Sequence, residues 1–178
     1  MSETIVKLSN VRLSFPALWT ARKGPEATSK AKFSGAFILN KKTNAKDIAA
    51  VQAVIAQIVK DEFKGKAPPK ICLRDGSEKG DTNGYGPDVM FLNASSESRP
   101  QVVDRDMTPL VEEDGRPYAG CYVNATIRLW KQDNQFGKRI NAALRAVQYV
   151  TKGEPFGGDV VDVNKEFSAL PTAEEDVM

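Results

Sequence analysis

Hydrophobic residues in this chain recur mostly at every second position, the spacing of strands that bury one face. From Ile5 to Phe15, Val6 and Leu8 and then Val11, Leu13 and Phe15 point to one side, and Pro16 is expected to end the strand. In Lys32–Leu39, Phe33, Phe37 and Leu39 share a face, and Gly35 marks a bulge or a close backbone approach. The alternation is clearest from Cys121 to Trp130. There Cys121, Val123, Ala125, Ile127 and Leu129 face one way, and Tyr122, Asn124, Thr126, Arg128 and Trp130 face the other. A turn over KQDNQFGK leads to a partner strand, Arg139 to Thr151, with Ile140, Ala142, Leu144 and Ala146 inside and Asn141, Arg145 and Tyr149 outside. Shorter strands are expected at Ile71–Leu73, Val89–Ala94 and Gln101–Asp104, and Asp114-Gly115 carries a hairpin signal.

The period changes once. Between Asn44 and Phe63 the apolar residues Ile48, Val51, Ile55, Ile58, Val59 and Phe63 fall on one helical stripe. Thr43 or Asn44 can cap this helix, Asp47 sits in its first turn, Lys60 lies near its end, and Gly65, Pro68 and Pro69 prevent continuation. Residues 20–31 and 74–88 are rich in polar residues, glycine and proline and read as long loops. Many short strands with one helix predict a mainly β domain: a small barrel of OB type over residues 1–158, with the helix packed on it. Residues 159–178 are acidic and poor in core residues, and are expected to form a disordered tail.

Composition narrows the chemistry. The chain has no histidine, which removes the commonest general base and metal ligand. Its two cysteines, Cys72 and Cys121, show no CxxC spacing and read as small, half-buried residues in a reducing compartment. No apolar run approaches membrane-spanning length, and Met1–Asn10 lacks the layout of a secretion signal, so a cytoplasmic protein without cofactor or membrane contact is expected. The net charge of +2 hides an asymmetry: the tail holds six acids and one base, leaving 24 bases against 17 acids in residues 1–158. A basic body with an acidic tail suits a polyanion ligand and a separate interaction segment.

Binding of unpaired nucleic acid needs cations for the phosphates and exposed rings for the bases. The Cys121–Thr151 hairpin offers both, with Tyr122 and Trp130 as stacking planes, Arg128 between them, Lys131, Lys138 and Arg139 in or beside the turn, and Arg145 on the second strand. Trp19, Arg22, Lys30 and Lys32 form a second cluster beside a loop, with Lys23 among them. Tyr85 can either add a stacking platform or pack against the barrel. Asp104, Asp106, Glu112, Glu113 and Asp114 are read as loop acids rather than a Mg²⁺ site. The acidic terminus, with Glu174, Glu175 and Asp176, can dock on basic pockets of partner proteins or cover the protein's own groove by mimicking phosphate.

The segments GYGPDVMFLNASS, RPQVVDRD, YAGCYVNATIRLW and FGKRINAALRAVQYVTKGEPFGG, in that order, resemble a phage single-stranded DNA-binding family once catalogued only as a domain of unknown function. The resemblance implies an OB fold related to the replication binding proteins of short-tailed coliphages, with an acidic tail that contacts replication or recombination proteins and, in some relatives, a homodimer. It places Tyr122, Arg128 and Trp130 in one strand motif and Lys138, Arg139 and Asn141 in the next. Related tails often end in an aromatic residue, whereas this one ends in Val177 and Met178. The expected function is sequence-tolerant binding of single-stranded DNA in replication, recombination or repair, without catalysis. The rivals are a strand-annealing recombination protein, a metal-dependent nuclease and a structural virion or scaffold protein.

Overall fold

The computed structural model describes residues 4–23, 30–80, 84–135, 137–156 and 167–170. Along them run β1 (Ile5–Arg22), β2 (Lys32–Asn40), α1 (Ala45–Glu62), β3 (Lys70–Ile71), β4 (Leu73–Asp75), β5 (Val89–Ser96), β6 (Gln101–Val103), β7 (Tyr122–Asn134) and β8 (Gly137–Thr151). Antiparallel pairs join β1 to β2, β2 to β5, β7 to β8 and β1 to β7, and a parallel pair joins β5 to β8. These five strands close into an OB-type barrel, which is the expected fold class. Leu8, Val11, Leu13, Phe37, Leu39, Leu92, Val123 and Ile127 fill it, all fully buried. Each contributes about 1.5–3 kcal/mol over leaving it in water.

Closing so small a barrel needs local bends, and bulges provide them. β1 bulges at Ser9 and Asn10, where its pairing with β7 shifts between Leu8 and Val11. The bulge frees backbone groups that must find other partners. Ser9 N–H donates to Asp47 Oδ2 at 2.8 Å, Asn44 Nδ2 donates to the Ser9 carbonyl at 3.0 Å, and Asn10 N–H donates to Asn124 Oδ1 at 2.9 Å. Two of these partners belong to the start of α1, so the bulge also fixes where the helix enters. α1 then buries Ile48, Val51 and Ile58 over the barrel.

A second bulge in β1 overturns one expectation. Pro16 does not end the strand; β1 continues to Arg22. Its pairing with β2 shifts between Ser14 and Ala17, and Phe15 takes a left-handed φ of 46°. Phe15, expected inside by alternation, is therefore turned out and 64% exposed. Gly35 lies opposite this bulge in an unshifted stretch of β2, so it marks a close approach, 3.4 Å from its would-be Cβ to Leu13 Cδ1. A bulge in β8 likewise reverses the expected faces. Thr126 pairs with Ala146 but Ile127 with Leu144, so Arg145 is the extra residue. Beyond it Val147 is buried in place of Ala146, and Tyr149 packs against the core rather than lying on the outer face.

Other differences are local. β7 and β8 run on to Asn134 and from Gly137, so the turn is tighter than KQDNQFGK suggested. Asp114-Gly115 closes a short 3-10 turn instead of a hairpin. Part of the expected 74–88 loop is ordered, as the end of β4, a 3-10 turn at Gly76–Lys79 and a buried Tyr85. Of the tail, only residues 167–170 are described, and Phe167 and Leu170 are exposed.

Candidate nucleic-acid interface

The barrel wall is interrupted at one place. β5 and β8 meet in register at Ser95 and Ala143, then part. Residues 70–75 fill the gap: β3 pairs with β8 through Lys70–Arg139 and Ile71–Ile140, while β4 pairs with β5 through Leu73–Leu92 and Arg74–Phe91. Between β3 and β4, Cys72 N–H donates to the Ile140 carbonyl at 2.9 Å and the Cys72 carbonyl accepts from Asn93 N–H at 3.3 Å. Over this inserted segment lies a groove of about 1060 Å³.

The groove is bordered by two rings and several cations. Phe15 reaches it from the β1 bulge, Trp130 from β7, Lys32 from β2, Lys70 from β3, Arg74 from β4 and Arg139 from β8. Strand register explains the hairpin's share. Trp130 stands opposite Asn141, and Gln132 opposite Arg139, on one face. Asn141 Nδ2 donates to Gln132 Oε1 at 2.7 Å, so this polar pair braces the wall beside the indole. Ser34, Asn93 and Ser95 add further polar groups.

Charge is uneven around the groove. Asp75 Oδ2 accepts from Lys41 Nζ at 2.8 Å and Glu78 Oε1 from Arg74 Nη2 at 2.7 Å, so both carboxylates are already paired with cations. Hydrogen bonds from Lys41 and Ser77 hold the Asp75 carboxyl well below its usual range, and the hydrogen bond from Arg74 lowers that of Glu78. Burial pushes the Cys72 thiol up to about 12, so it stays neutral. Among the described residues, no three of Cys, Asp and Glu gather where a metal could sit.

Of the residues singled out in the sequence, Lys32, Trp130 and Arg139 come together here. Tyr122 lies eight residues from Trp130, roughly 26 Å along the strand, and is half-buried against Arg12, whose guanidinium is 5.7 Å from its ring. Between them Asn124 is occupied, accepting from Asn10 and donating to Gln148. The single continuous binding face expected on β7 is thus divided. Arg128 and Arg145 are exposed on the barrel wall outside the groove lining. Lys131 faces α1 instead, 3.6 Å from Glu62 and 5.5 Å above the Phe63 ring, and Lys138 is exposed on that same side, opposite Asp133.

Tyr85 packs against the barrel: it is 6% exposed, donates to Ser14 Oγ at 3.0 Å and meets Phe91 edge-on at 5.3 Å. It offers no free ring. Trp19 is half-buried against the core and borders a separate hollow of about 410 Å³ with Arg99, Leu110 and Val111. Arg22 is exposed at the end of β1, and Lys30 is exposed 3.7 Å from Glu97. Glu174, Glu175 and Asp176 lie outside the described residues. Sequence reading missed Phe15, Lys70 and Arg74. The one signal for Phe15 was the proline after it, because proline inside a strand often marks a bulge.

Known proteins share this architecture. Residues 4–178 match the family described as Enterobacter phage Enc34, ssDNA-binding protein. The chain is 38% identical over 184 residues to putative protein p50 of Acyrthosiphon pisum secondary endosymbiont phage 1, covering 96% of each. It is similar to the single-stranded DNA-binding protein of bacteriophage Enc34 in complex with ssDNA: TM-score 0.76 and 30% identity over 86% of this chain and 90% of that one. The fold alone is shared with gp2.5, a single-stranded DNA-binding protein encoded by bacteriophage T7, at TM-score 0.52 and 14% identity over 97% and 99% of the two chains.

Proposed function

The chain belongs to the family of the Enterobacter phage Enc34 ssDNA-binding protein, and from that membership we propose that it binds single-stranded DNA, with little regard to sequence, along the groove over residues 70–75. Its role is binding, not catalysis. Phe15 and Trp130 supply faces on which unpaired bases stack, and Lys32, Lys70 and Arg139 lie where phosphates would run. The observation that carries this reading is the presence of two rings and four cations, three of them outside any ion pair among the described residues, on one groove over β2 and β5, the second and third barrel strands, where OB barrels take oligonucleotides. Stacking is indifferent to base identity because every base has a π-face, which accounts for sequence tolerance.

The tail with Glu174, Glu175 and Asp176 would serve replication or recombination proteins as partners, and the work would be done in the cytoplasm of the host cell. The charge difference between body and tail supports this division. Among the described residues no helix is long and apolar enough to cross a membrane.

Fluorescence titration with single-stranded, duplex and RNA oligonucleotides tests the function. Tryptophan quenching by single strands is expected, with log Kd rising by about 0.7 per decade of salt for each phosphate contacted. Equal affinity for duplex, or binding indifferent to salt, would count against it.

A further inference from the structure

The wall of the groove formed by β4 and the 3-10 turn behind it differs from the others. Its cation, Arg74, is already engaged. Glu78 Oε1 accepts from both Nε at 3.2 Å and Nη2 at 2.7 Å, a two-pronged grip of the kind a phosphate oxygen would take. Both side chains are about half exposed and both line the groove. We propose that Glu78 is a built-in phosphate mimic, which occupies Arg74 in the free protein and yields it to the DNA backbone, so that the pair limits how tightly the groove holds a strand. This rests on the reading of the groove as the DNA site.

Three features support the exchange. The turn that carries Glu78 is placed independently of Arg74: Asp75 caps it, accepting from Ser77 N–H at 2.9 Å, and Lys41 holds Asp75 at 2.8 Å. A Cβ on Gly76 would collide with the Gly86 carbonyl, so the backbone at the start of this turn is closely packed. The Arg74 guanidinium also lies 5.5 Å from the centre of the Phe91 ring, a second contact that does not depend on Glu78. A pair this exposed is weak in water, so a run of phosphates can displace it. By contrast, no carboxylate lies within ion-pair distance of Lys32, Lys70 or Arg139 among the described residues; these cations are available from the start.

The test is a double-mutant cycle read by anisotropy of a labelled oligo-dT at several salt concentrations, with thermal melts to confirm folding. Glu78→Gln is expected to tighten binding about 3–10-fold and to steepen the salt slope by about 0.7, the increment of one added phosphate contact. In an Arg74→Ala background the same change is expected to alter affinity less than about twofold. A gain of equal size in both backgrounds would mean general charge repulsion and overturn the proposal, as would no gain in the single variant. Trp130→Ala and Arg139→Ala in the same series separate the two readings. If they weaken binding while Glu78→Gln does nothing, only the mimic falls; if they bind like the native chain, the groove reading falls and takes the mimic with it.

Discussion

The guanidinium of Arg12 lies 4.1 Å from the centre of the Phe156 ring, joining the first barrel strand to the last described residue before the acidic region. The same side chain donates to the Glu154 carbonyl at 2.7 Å and to the Gly120 carbonyl at 3.0 Å, and stands 5.7 Å from the Tyr122 ring. Arg12 thus ties Glu154 and Phe156 to the barrel, beside Tyr118, whose hydroxyl donates to the Gly153 carbonyl at 2.9 Å, and Ala119, whose carbonyl accepts from Phe156 N–H at 3.0 Å. Arg12→Met should keep much of the packing while removing both charge-assisted hydrogen bonds. Stability is expected to fall by about 1–2 kcal/mol in urea titration. Hydrogen exchange should speed up at Glu154 and Phe156 and remain slow in β7. Uniform loosening of the whole barrel would refute this local assignment.

Phe15 allows binding to be separated from folding. Its ring is 64% exposed and its backbone is left-handed, a region where a side chain is unfavourable by about 1–2 kcal/mol. Phe15→Gly therefore should leave the urea midpoint close to native, the relief of strain offsetting glycine's extra chain entropy. Loss of a stacked base should weaken oligo-dT binding by about 1–3 kcal/mol. Trp130→Ala should weaken binding by a similar factor but also destabilise, since the indole is half-buried. Native affinity in both variants would remove stacking from the mechanism.

Neutral pH should leave this protein indifferent. The chain has no histidine, and the shifted groups lie away from neutrality on both sides. Asp75, Glu78, Asp104 and Asp106 are held low, chiefly by hydrogen bonds to Lys41, Arg74, Arg116 and Thr108 respectively. Depressed carboxylates give stability that is complete above their unfolded values and lost as pH falls through the folded ones. Burial raises both cysteines, Cys72 to about 12, so a folded neutral thiol loses its advantage as pH climbs past the ordinary thiol value. Urea midpoints should be flat from about pH 6 to 8, falling below about pH 4 and above about pH 9. Both thiols should resist alkylation at pH 7.5 until the chain is unfolded. A midpoint that moves between pH 6 and 8 would contradict this account.

Removal of residues 159–178 should leave the melting temperature unchanged and tighten binding to oligo-dT, most clearly at low salt. That segment carries six acids and one base, and acidic groups tethered to a basic body compete with phosphate for its cations. Weaker binding after truncation would show that the tail assists rather than competes.

Much of the barrel was legible along the chain because strand periodicity reports burial directly. Val123, Ala125, Ile127 and Leu129 were read as interior and are buried, and α1 falls within one residue of its expected span at each end. The errors cluster at bulges. Phe15, Ala146 and Tyr149 were each assigned by alternation, and each lies at or beyond an extra residue that reverses the two faces. Bulges are set by the curvature that closing the barrel demands, a property of the whole sheet rather than of any ten-residue window.

By itself the sequence determined that this would be a small mainly β barrel with one amphipathic helix, a basic body and an acidic end. Those are properties of local period and composition, carried by residues close together in the chain. Only the tertiary structure decided which cations and rings meet. Phe15, Lys32, Lys70, Arg74, Trp130 and Arg139 come from five different barrel-wall segments and one bulge, brought to a single groove because β5 and β8 part and residues 70–75 fill the opening. Such a meeting depends on register and closure, which arise from contacts across more than a hundred residues of chain and leave no mark on any one stretch of it.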